Sequence, residues 1–259
     1  MGEFITVTAT DGMATIRLDR PPMNALNTRV QEELQQAAKA VSVDTEVRSV
    51  VIYGGDKVFA AGADVREITG AHSADIEVIS RAMQTTFDAV AGIGKPVVAA
   101  ITGYALGGGL ELALCADFRV CGRSSRLGLP EILLGIIPGG GGTQRLPRLI
   151  GPARAKNLIF TGRFVAAQEA LTIGLVDEVT DDDDTYDAAT RLAGRFAAGP
   201  ALALGAAKQT IDAGLDLDLT TGLEFERRRF CALFDTEDQR LGMSSFLEQG
   251  PGKAVFVGR

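Results

Sequence analysis

The chain has 259 residues and a mass of 27.2 kDa, with 31 glycines, three cysteines, one histidine and no tryptophan. Its 26 Lys and Arg against 33 Asp and Glu leave a net charge of −7, which argues against binding nucleic acid or anionic membranes by non-specific attraction. The lone histidine, His72, rules out a histidine-rich zinc site and leaves a Ser-His-Asp triad a single candidate base.

In chain order, TVTATDGMATIRL alternates apolar and polar residues around Asp11-Gly12 and predicts a β-hairpin. Asn27 is a helix cap, and Val30, Leu34, Ala37, Ala38 and Val41 follow it at helical spacing. RSVVIYG (48–54) reads as a buried strand. Ile76, Ile79, Met83, Phe87 and Val90 mark a second amphipathic helix, with His72 near its start at the surface and without a role. PVVAAITG (96–103) and DFRVCG (117–122) are further strands, and VDEV closes another before the acidic turn Asp181 to Asp184. From about Gly194 the composition is helical, with strand character returning only at the extreme C-terminus. The expectation is an α/β core over residues 1–193 and a helical region over 194–259.

The longest apolar stretch, Pro96 to Ala116, carries Glu111 and several glycines and makes a poor membrane span. No basic region leads into an apolar block at the start, so a cytoplasmic protein is expected. Cys115, Cys121 and Cys231 have no CxxC spacing and are expected to be free buried thiols.

Glycine gathers in three places: Gly62 within FAAGAD, Gly107 to Gly109 within GYALGGGLEL, and Gly139 to Gly142 within IPGGGGTQRL. None fits a dinucleotide fingerprint or a P-loop. Each is expected at a strand-to-helix transition, where a missing Cβ opens backbone N–H groups to a ligand; tight turns and close helix packing are the alternative. Two clusters come with a carboxylate, Glu111 and Glu131. A glutamate in a first helical turn gains roughly 0.3–1 kcal/mol without any catalytic role. Two neighbouring carboxylates, by contrast, push one pKa up and leave one acid and one base near neutral pH.

FAAGADVREI (59–68), GYALGGGLELALCADFRV (103–120), PEILLGIIPGGGGTQRLPRLIG (130–151), LTIGLVDEV (171–179) and FERRRFCALFDTEDQRLGMSSFLE (225–248) closely resemble the enoyl-CoA hydratase/isomerase (crotonase) family. The resemblance implies a spiral of ββα turns and a C-terminal helical region that builds homotrimers, commonly paired into hexamers. It also implies an acyl-CoA thioester as substrate, with no metal and no separate cofactor. By residue, it makes the N–H groups of Ala63 and Gly108 an oxyanion hole, where one donor is worth around 3 kcal/mol. Ala61, Ala63, Asp64, Val65, Arg66 and Gly108 match the CoA-contacting stretch. Glu111 and Glu131 match the catalytic glutamates, and Gly139 matches the position that helps place the water.

The implied reaction is hydration of a 2-enoyl thioester. A double-bond isomerase on the same fold is the alternative; a third is a non-catalytic acyl-CoA-binding or RNA-binding relative, for which Arg227-Arg228-Arg229, flanked by Glu224 and Glu226, is the only basic run at hand. Ile136 and Gly140 depart from the residues common in hydratases and bear on chain-length preference.

Overall fold

The computed structural model describes residues 2–259. The hairpin forms as expected from β1 (Ile5–Thr10) and β2 (Met13–Leu18), with Asp11 and Gly12 both at positive φ, as a two-residue turn between twisted strands requires. Asn27 caps α1 (Thr28–Val43) by accepting from the Val30 N–H at 2.9 Å, and the helix buries the predicted stripe. Three successive units then follow one plan. Strands β3 (Ser49–Tyr53) and β4 (Ala60–Ala61) lead to α2 (Val65–Ile68) and α3 (Ser73–Ala91). Strands β5 (Val97–Ile101) and β6 (Tyr104–Leu106) lead to α4 (Gly108–Ala113). Strands β7 (Phe118–Gly122) and β8 (Arg126–Gly128) lead to a 3-10 turn, Pro130–Leu134, and then to α5 (Gly142–Ile150). This is the expected ββα spiral.

The first strand of each unit enters a six-stranded sheet of order β1-β2-β3-β5-β7-β10, in which β10 is Glu178–Thr180, and the second enters a four-stranded sheet of order β4-β6-β8-β9, in which β9 is Val165–Ala166. The remaining elements are α6 (Pro152–Thr161), β9 (Val165–Ala166), α7 (Ala167–Thr172), β10 (Glu178–Thr180) and α8 (Thr185–Ala197). From β2 to β10 the large sheet is parallel, and β3 and β5 are buried along their whole length. Both faces are covered, as unbroken apolar runs in parallel strands demand. Val50, Ile52, Val97 and Ala99 face the main core, whereas Val51, Tyr53, Val98 and Ala100 meet Ala188, Ala189 and Ala193 of α8.

Beyond residue 198 come α9 (Ala201–Gly214), α10 (Leu219–Leu233) and α11 (Glu237–Gln249). α8 continues through Ala197 with its alanine face on the sheet, so the expected boundary at residue 193/194 lies inside this helix. An ion pair of Lys208 with Asp117, at 2.9 Å, ties α9 to the sheet. The strand character expected at the extreme C-terminus does not become a strand: residues 253–259 belong to no helix or sheet. Their tether is Asp238, whose carboxylate accepts from the N–H groups of Val257 and Gly258 at 2.7 and 3.0 Å. Cys115 and Cys121 are buried free thiols, but Cys231, on α10, is exposed, a correction to the expectation. Among the described residues no helix is long and apolar enough to cross a membrane.

Candidate active site

Parallel register builds the first part of the site. β4 and β6 are paired with Ala61 opposite Leu106, so the next positions in step are Gly62 with Gly107 and Ala63 with Gly108. The two loops abut accordingly: a Cβ on Gly108 would stand 3.4 Å from the Ala63 nitrogen. Among the described residues neither the Ala63 nor the Gly108 N–H finds an acceptor. Gly107, at φ 52°, makes the left-handed step that opens α4 immediately after β6. Leu26 braces the Ala63 side, donating its N–H to the Gly62 carbonyl at 2.9 Å.

Glu111 lies within α4, every residue of which is buried, and is itself 1% exposed. Its Oε1 accepts from the N–H groups of Gly140 and Gly142 at 2.8 and 2.7 Å. Burial pushes its pKa up, while these N–H groups and the Arg145 guanidinium work the other way. Close approach explains the glycines. A Cβ on Gly140 would come within 2.8 Å of Glu111 Oε2 and 2.6 Å of the Phe87 ring, and one on Gly142 within 3.0 Å of Glu111 Oε1.

Glu131 stands in the Pro130–Leu134 turn with its Oε1 over Gly107, 2.9 Å from where a Cβ there would be. Its Oε2 is buried with no hydrogen-bond partner among the described residues. Burial, and secondarily the charge of Glu111, raise its pKa to about 7. A carboxylate oxygen buried without a donor is costly, and a glutamate serving only the fold would not be expected to carry that cost. The two carboxylates thus differ in kind: one is gripped by peptide N–H groups from another loop, the other has a buried oxygen without a partner and only its own peptide N–H to lower its pKa.

The remaining predicted positions divide. Ala61 is the last residue of β4, half-buried beside Leu106. Asp64 is committed to the scaffold: it pairs with Arg20 at 2.7 Å and caps α2 by accepting from the Arg66 N–H at 3.2 Å. Val65 and Arg66 are exposed at the start of α2. The Gly139 carbonyl is turned to α3, where it accepts from Ser80 Oγ and Gln84 Nε2 at 3.1 and 2.8 Å.

Two readings change. The third glycine cluster follows a 3-10 turn and an irregular loop, not a strand, because its peptides are spent on Glu111. Gly140, expected to bear on chain length, lies against the carboxylate itself. Sequence reasoning missed Gly140 and Gly142 as donors and missed Ser80, Gln84 and Arg20 altogether. A signal for the α3 pair was present: Ser80, Gln84 and Asp88 recur every fourth residue beside the apolar stripe.

An α/β spiral that sets two unpaired peptide N–H groups, one buried carboxylate and one half-buried carboxylate together is the arrangement that the crotonase resemblance implies. Residues 8–257 match the enoyl-CoA hydratase/isomerase family, and the chain is an enzyme of that family. It is 45% identical over 237 residues to the probable enoyl-CoA hydratase EchA17 of Mycobacterium tuberculosis, covering 90% of this chain and 91% of that one. It is 38% identical to the crotonyl-CoA hydratase of Syntrophomonas wolfei over 99% of both chains. A crystal structure of an enoyl-CoA hydratase from Bacillus anthracis superposes with a TM-score of 0.93 at 39% identity, covering 99% of this chain and 100% of the other.

Proposed function

We propose that the protein hydrates the 2,3 double bond of 2-enoyl-CoA thioesters to give 3-hydroxyacyl-CoA. The observation that carries this reading is the unequal pair of glutamates, Glu111 buried and Glu131 half-buried, beside two unpaired N–H groups. The Ala63 and Gly108 N–H groups receive the thioester oxygen as electron density moves onto it. Glu111, whose Oε1 accepts from two peptide N–H groups, orients a water and takes a proton from it; the Gly139 backbone helps to place that water. The water oxygen bonds to C3, the double-bond electrons pass to the thioester oxygen, and the enolate so formed collects a proton at C2 from Glu131. A carboxyl titrating near 7 is suited to give that proton at neutral pH. Proton return from Glu111 to Glu131 restores the starting state. The reaction as drawn uses two carboxylates and backbone N–H groups, and calls on neither a metal nor a separate cofactor.

Arg66, exposed at the mouth of the Ala63 loop, is our candidate for a CoA phosphate contact. The alternative of an RNA-binding relative loses support, since Arg227 and Arg228 both pair with Glu224 and Arg229 lies 5.2 Å over the Phe225 ring. We further propose that the chain works in the cytoplasm as a homotrimer or homohexamer. Exposed apolar side chains on the tail, among them Ile211, Leu219, Phe230 and Leu247, support an assembly.

The test is loss of the conjugated thioester's ultraviolet absorbance when enzyme meets crotonyl-CoA, with the product identified by mass. Glu131→Gln is expected to lower kcat by about 10²–10⁴-fold. Binding without formation of a hydroxy product, or conversion of a 3-enoyl to a 2-enoyl thioester alone, would overturn the reading in favour of the binding protein or the isomerase.

A further inference from the structure

Along α3, Ser80, Gln84 and Asp88 form a polar stripe directed at the segment that runs from the glycine loop into α5. Ser80 and Gln84 bind the Gly139 carbonyl, and Asp88 meets Arg145 at 2.8 Å. The Gly139 carbonyl and the Gly140 N–H are opposite ends of one planar trans peptide. Its N–H end is the donor to Glu111 Oε1. A single rigid plate is therefore held by α3 at one end and by the buried carboxylate at the other.

We propose that Ser80 and Gln84 are positioning residues: by holding the Gly139 carbonyl they keep the N–H of this peptide, and not its oxygen, against Glu111. Glycine on both sides of the plate removes the Cβ atoms that would otherwise resist its rotation, so hydrogen bonds must set its orientation. With the carbonyl end released, rotation takes away one of the two N–H donors and brings an oxygen toward the carboxylate. A buried carboxylate that loses a donor binds its proton more tightly. The other titratable groups facing Glu111 are Glu131 from the Pro130–Leu134 turn, Arg145 from α5 and Cys115 in the turn after α4, with Asp88 of α3 engaged by Arg145. The consequence for catalysis rests on the hydration reading above; the orientation of the peptide does not.

The experiment compares wild type, Ser80→Ala/Gln84→Ala and Ser80→Thr, which keeps the hydroxyl. Glu111 is titrated by its infrared carboxyl band, assigned by difference against Glu111→Gln. In the double variant the midpoint moves to higher pH, whereas Ser80→Thr stays with wild type. In hydration assays the acid limb of kcat moves the same way, kcat falls roughly tenfold and KM stays within about twofold. Gln84 is exposed, so Gln84→Ala alone carries the test with a smaller shift should the double variant not fold. An unmoved midpoint overturns the inference, whatever kcat does. A moved midpoint in a protein that never hydrates enoyl thioesters sinks the hydration reading and leaves this one standing.

Discussion

Glu131, the proton donor of the proposed reaction, also bears on stability. Folding lifts its pKa from 4.5 to about 7, so across that window the folded chain binds more protons than the unfolded one and stability falls as pH rises. Glu131→Gln removes the charge that the fold accommodates poorly. The variant is expected to melt roughly 2–4 °C above wild type at pH 8, and to lose that advantage as pH drops toward 4.5; calorimetry across this range checks it. What could be read of Glu111 and Glu131 in advance was their type, their glycine neighbours and their family match. Which one would be gripped and which left with an unpartnered oxygen was not legible, because the donors to Glu111 lie in a different loop and depend on tertiary contact.

Among the elements, the strands of the large sheet were legible as unbroken apolar runs, since burial on both faces leaves no polar alternation to confuse them. The small sheet was not. β4 and β9 are two residues long and β6 and β8 three, too short for any periodicity, and they exist because the spiral brings them into register. The C-terminal segment shows the converse: its apolar residues suggested a strand, yet its N–H groups turn to the buried carboxylate of Asp238 and not to a neighbouring strand. Asp238→Ala is expected to release this segment, destabilising the chain by about 1–3 kcal/mol. Hydrogen exchange at Val257 and Gly258 should rise selectively, with the strands of the large sheet still protected.

At the scale of the whole molecule, every fully buried apolar side chain among the described residues lies at or before Ala197, and the helical tail, like the stretch from Ile132 to Ile137, leaves many apolar side chains on view. Between α10 and α11 a hollow of about 290 Å³ is lined by Phe230, Phe234, Met243, Phe246 and Phe256, away from the two glutamates. Composition foretold helices here, but not which faces would stay bare, since exposed apolar residues look in sequence like core. If the proposed assembly forms, light scattering gives a mass three or six times 27.2 kDa, and Phe246→Glu or Leu247→Lys shifts it toward one. A wild-type mass of a single chain would refute it. The alignment of β4 with β6 carries one more consequence. Each amide of the proposed anion-binding pair belongs to a different winding, so a chain severed at the exposed Gly70 leaves Ala63 on one fragment and Gly108 with both glutamates on the other. Neither piece holds a complete site, and recovered turnover on mixing them would report the docking of one winding on the next.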